Sequence, residues 1–144
     1  MPKQRKIRII IDSNIWIGYL TGKYLHKLTG DILKSALIQI IISEELFKEL
    51  IEITLREKFK SKFSDIDVKE LIAVLESISE KIIPTSKVKI CRDPDDDFIL
   101  ALCKDGEADY LITGDKDLLS LKRFTNTKIV TAREFEVELV KLPL

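Results

Sequence analysis

Histidine and cysteine are scarce in this sequence, and no apolar run in it is long. The 144 residues include one His, two Cys, five Gly and four Pro. Cys91 and Cys103 form neither a disulfide framework nor a zinc signature. The single His26 leaves a His-ligated metal site, or a hydrolase built on His, without its main residue. All three side chains read as structural; Cys103 stands in the apolar run Phe98 to Cys103, a usual setting for a buried free thiol. No apolar run reaches the roughly 18 residues of a membrane span. The basic stretch from Met1 to Arg8 is followed by too few apolar residues for a signal-peptide core, so the cytoplasm is the expected compartment. With no repeat, low-complexity tract or linker composition, one domain over residues 1–144 is expected.

Neither sign of charge is in excess, with 24 basic and 24 acidic residues. That balance excludes a uniformly basic nucleic-acid binder, but it hides zoning. Asp93, Asp95, Asp96 and Asp97 crowd around Pro94, whereas Arg56, Lys58, Lys60 and Lys62 concentrate positive charge. Hydrophobic residues make up 45% of the chain, enough for a domain of this length to bury a core.

Ile7 to Ile11 is a β-branched run that stops at Asp12-Ser13-Asn14, as a buried parallel strand does when it opens into a polar loop. Tyr24 to Leu37 reads as a helix, Gln39 to Ile42 as a strand, and Ser43 as the cap of a helix reaching about Phe59. Asp65 to Ser79 is a further helix, opened by Asp65 or Asp67, and Lys81 to Ile83 a brief strand ended by Pro84. Asp93 and Pro94 start a helix that Gly106 stops. Strands over Asp109 to Thr113 and Lys128 to Val130 follow, then a helix from Thr131. Strands alternating with helices indicate βαβ units and a parallel sheet. Ligands of such sheets bind beyond the carboxyl ends of the strands, which is where Asp12 and Asp115 fall.

Each acid also has an ordinary explanation. Asp12 and Asp115 could cap helices, and the Asp93 to Asp97 cluster could serve a helix N-terminus. Glu49 is harder to dismiss. Lys48 can pair with Glu44 and Glu52, and Glu52 with Arg56, on one stripe, whereas Glu49 sits at the edge of the apolar face near Leu46 and Ile53. Asp96 shares a helix face with the apolar Ile99, Leu100 and Cys103. Four carboxylates in such settings repel one another unless a cation joins them. Hard divalent ions such as Mg²⁺ or Mn²⁺ prefer oxygen ligands of this kind, and they supply what phosphodiester hydrolysis needs.

Four stretches resemble the signatures of the PIN-domain family: Ile9 to Asn14, Ser43 to Leu50, Asp93 to Cys103 and Ala108 to Leu119. They span most of the chain in the family's order and are most similar to the prokaryotic toxins related to VapC. The resemblance implies a three-layer α/β/α sandwich around a parallel sheet of four to five strands. It also implies a Mg²⁺- or Mn²⁺-dependent endoribonuclease, the toxin of a toxin–antitoxin pair. Asp12, Glu49, Asp96 and Asp115 map onto its acidic quartet, Asp117 onto a fifth acid, and Asn14 and Thr113 onto supporting polar positions. Asp97 could take the place of Asp96. Cys103 stands where the family usually has Ala. RNA as substrate, a small antitoxin and a homodimer follow from the same resemblance. Lys58, Lys60, Lys62 and Lys116 are the candidate RNA contacts, with a solvated helix face as the ordinary alternative. A PIN fold that binds RNA or protein without cutting remains the rival reading. A haloacid-dehalogenase-like phosphatase would want a second Asp at the position of Asn14.

Overall fold

The computed structural model describes residues 5–21, 30–56 and 62–141. In chain order the elements are β1 (Ile7–Ile11), α1 (Ser13–Thr21), β2 (Ile38–Ile42), α2 (Glu44–Thr54), α3 (Asp65–Ile78), β3 (Glu80–Lys81), α4 (Pro94–Asp105), β4 (Tyr110–Ile112), α5 (Lys116–Leu121), β5 (Arg123–Phe124), β6 (Thr127–Val130) and α6 (Ala132–Lys141). Among the described residues the strands form one six-stranded sheet ordered β3-β2-β1-β4-β6-β5, flanked by helices. All pairings are parallel except that of β5 with β6.

The runs of Ile and Leu explain why the sheet lies inside. Ile9, Ile10 and Ile11 are buried in succession, as are Ile40, Ile41 and Ile42. Successive residues of a strand point to opposite faces, so both faces of β1 and β2 are covered. Leu111, Ile112, Ile129 and Val130 extend this core across β4 and β6, and Trp16, Leu50, Leu75, Leu100 and Phe135 pack into it.

Several local expectations shift. No loop follows Asp12: α1 starts at Ser13, with the Asp12 carbonyl accepting from the amides of Ile15 at 3.0 Å and Trp16 at 3.4 Å. The helix expected over Tyr24 to Leu37 lies partly outside the described residues; residues 30–34 are helical and Leu37 is in a turn. Ser43 caps α2 as expected, its hydroxyl accepting from the Leu46 amide at 3.1 Å, but the helix ends at Thr54 instead of Phe59. There the Thr54 hydroxyl turns back to donate to the Ile51 carbonyl at 2.6 Å. The cap of α3 is Ser64 rather than Asp65 or Asp67. Strand β3 is displaced to Glu80–Lys81, leaving Ile83 86% exposed. The antiparallel β5, absent from the sequence reading, accounts for the sixth strand.

Candidate metal centre

The strand order places a switch in direction at the middle of the sheet. From β1 the chain runs outward to β2 and β3, then returns to lay β4 against the other side of β1. Beyond the carboxyl ends of β1 and β4 a crevice opens, as it does in other open α/β sheets. Asp12 and Thr113 leave these two strands side by side, and the Asp12 amide donates to the Ile112 carbonyl at 3.0 Å.

Thr113 joins the two acids. Its side chain is 0% exposed. The hydroxyl donates to Asp12 Oδ2 at 2.7 Å and accepts from the Asp115 amide at 3.1 Å. Asp115 in turn caps α5, taking the amides of Asp117 at 2.8 Å and Leu118 at 3.4 Å. Both capping contacts fall on Oδ1, so the cap leaves Oδ2 free to meet a cation. Capping and metal binding are compatible here.

The acidic start of α4 divides its duties. Asp93 is the cap, accepting from the Asp95 amide at 2.9 Å. Asp97 turns to the preceding segment and accepts from the amides of Ile90 at 3.0 Å and Cys91 at 2.8 Å. These bonds hold its carboxyl below the ordinary range. Asp96, 8% exposed, faces the strand ends instead. One carboxylate oxygen each from Asp96, Asp115 and Asp117 lie within 4.8 Å of one another. Of the two candidates for the third acid, Asp96 is the one that joins Asp115.

Crowding and burial disturb the protonation of these acids. Burial pushes Asp96 up to about 6, followed by the negative charges of Asp115, Asp93, Asp12 and Asp117. Asp12 is also raised, by burial first, although the Thr113 hydroxyl and the amides of Ser13 and Asn14 pull it down. Glu49 is exposed on α2, yet its carboxyl is raised as well, by partial burial and then by Asp12 and Asp95, with Arg56 opposing. The acids therefore share one field. An oxygen-only donor set with unrelieved negative charge suits a hard divalent cation.

A cleft of about 450 Å³ runs from Asp12 and Asp96 between α2 and α4. Glu49 lines it from α2, together with Lys48 and Arg56. Lys48 does pair with Glu44, at 3.8 Å, and still borders the cleft. Sequence reasoning missed a further ionic contact: Arg92 Nη2 donates to Asp117 Oδ1 at 2.7 Å. Asn14, Lys62 and Lys116 are exposed, whereas Lys58, Lys60 and His26 lie outside the described residues. Cys103 is buried as expected, and burial pushes its thiol up to about 12.

The family model described as PIN domain matches residues 8–117 of this chain. The uncharacterized protein MJ1680 of Methanocaldococcus jannaschii is 28% identical over 148 residues, covering 94% of each protein. Among solved structures, a chain of the crystal structure of VapBC2 from Rickettsia felis, bound to a DNA fragment from their promoter, is similar with a TM-score of 0.55. Its sequence identity is 17%, and the match covers 85% of this chain and 97% of that one. At that identity the likeness concerns the fold.

Proposed function

This chain belongs to the PIN domain family, and on that footing we propose that it is a metal-dependent endoribonuclease hydrolysing RNA phosphodiester bonds. The supporting observation is the convergence of Asp96, Asp115 and Asp117 within 4.8 Å, beside Asp12, at the switch point of the sheet. In this reading Asp96, Asp115 and Asp117 hold Mg²⁺ or Mn²⁺, with Asp12 and Glu49 completing the acidic basin. A bound ion supplies an activated water and neutralises charge that develops at phosphorus. The protein's part is positioning. Thr113 fixes Asp12 and the backbone of Asp115, α5 carries Asp117, and the α4 N-terminus presents Asp96. Arg56 and Lys48 bring positive charge to the cleft, where an RNA backbone would pass.

The fold likeness to VapBC2 favours a toxin whose partner is an antitoxin. We take the functional unit to be a single PIN domain spanning residues 1–144, acting in the cytoplasm as a homodimer. No helix among the described residues is long and apolar enough to cross a membrane.

The test is cleavage of single-stranded RNA by the purified chain with Mg²⁺ or Mn²⁺. Chelator should stop it, and the products should carry 5′-phosphate and 3′-hydroxyl ends, as expected when water attacks phosphorus and the 3′ oxygen leaves. Cleavage that survives chelation, or that leaves 2′,3′-cyclic phosphate, contradicts the reading. RNA binding without any cleavage would favour a silent binding module.

A further inference from the structure

Phe98 is half exposed at 49%, although it sits only two residues beyond the buried Asp96. It lines the same cleft, on the α4 side, with Ile99, Leu102 and Leu118 beneath it. Those three are buried and form an apolar wall, leaving Phe98 as the wall's open, flat member. The cleft is also lined by Glu49 of α2 and by Arg56 just beyond that helix's end. A large aromatic ring left in water beside charged groups forgoes the burial that would stabilise it. The cleft thus combines acids suited to a cation, an arginine suited to phosphate and an uncovered ring. At about 450 Å³ it is comparable with sites that take small organic ligands, about 300–1,000 Å³. A nucleotide needs these three chemistries together, because it presents a phosphate and a flat base a short distance apart.

We propose that Phe98 is a stacking platform for an unpaired nucleobase next to the phosphate addressed by the carboxylates. This inference rests on the nuclease reading above. A base held in a duplex is already stacked on its neighbours and cannot also lie on Phe98. Bases in loops and single strands can, and aromatic side chains accept any of them because each base has a π-face. The platform therefore selects strandedness with little regard to base identity.

The experiment measures binding of a fluorescent single-stranded oligoribonucleotide by anisotropy, in Ca²⁺, alongside cleavage in Mg²⁺. Phe98→Ala should weaken binding roughly tenfold to a hundredfold, the range expected for one lost base–aromatic stack. Phe98→Trp should bind at least as well as the wild type. A fully abasic oligonucleotide of the same length, which offers the ring no base in any register, should bind the wild type no better than the intact one binds Phe98→Ala. It should lose nothing further with that variant, because the two changes remove the same contact. The half-exposed position should leave the melting temperature of both variants close to wild type. Wild-type binding by Phe98→Ala overturns the platform, as do losses that add, or a change confined to oligomeric state, which would mark a protein contact. If the wild type neither binds nor cuts RNA, the nuclease reading fails and takes this inference with it. If the wild type cuts while Phe98→Ala binds unimpaired, only the platform fails.

Discussion

Thr113 is fully buried, and its one hydroxyl serves both flanks of the crevice. Valine has nearly the same shape but can neither donate to Asp12 nor accept from the Asp115 amide. Thr113→Val should therefore cost about 1–3 kcal/mol, the usual penalty for leaving a buried polar group unpaired. Metal affinity should fall as well, since two of the acids lose their anchor, and Thr113→Ser should restore both properties. Denaturant midpoints and metal titrations of the two variants check this; a Val variant equal to wild type in both would leave the bridge without consequence. At this scale the sequence was legible in part. Residue type and position beside a strand end point to Asp12 and Asp115, whereas Thr113 enters only through the family resemblance. Nothing in four neighbouring acids separates Asp96 from Asp97. The distinction comes from the amides of Ile90 and Cys91, which draw Asp97 away.

Elements with a clear period or a strong cap were read well, and those held by distant contacts were not. Asp93, Pro94 and Gly106 bound α4 as their chemistry suggests. Helix α1 was missed because Ser13 and Asn14 read as loop, while Ile15, Ile17 and Gly18 are modest helix formers. Burial of Trp16 and Ile17, and packing of α1 on α2, override those propensities. Strand β5 is two residues long and exists through its pairing with β6, so no local pattern announces it. Gly106 is a subtler case. Its φ is −85°, so no left-handed backbone demands glycine; the positive φ of 50° falls on Glu107. The constraint is space: a Cβ at Gly106 would lie 2.8 Å from Ile41 Cγ2 and 2.8 Å from the Leu102 carbonyl oxygen. Gly106→Ala must push α4 away from β2, at about 1–3 kcal/mol by analogy with overpacked cores. A melting temperature several degrees lower is expected, and an unchanged one would show that the helix end yields freely.

Across the whole molecule, equal numbers of acids and bases conceal a strongly acidic crevice at the switch point. Its charge couples binding and stability to pH. Folding raises the Asp96 carboxyl to about 6 from an ordinary value near 4, so its contribution to stability is complete at low pH. That contribution is lost as the pH rises through about 6, and the metal-free protein should then carry unrelieved repulsion. A divalent cation bound there would reverse the balance, because it would bind the deprotonated acids and compete with their protons. The most direct measurement is Mn²⁺ affinity, from the paramagnetic resonance signal of free ion, as a function of pH for the wild type, Asp96→Asn and Asp97→Asn. Wild-type affinity should climb through about pH 6 and then level off. Asp97→Asn should follow it, whereas Asp96→Asn should bind about tenfold or more weakly with a flatter pH dependence, as expected on removing a first ligand. Undiminished Mn²⁺ binding by Asp96→Asn, or a wild-type affinity indifferent to pH, would contradict a cation centre built on these carboxylates.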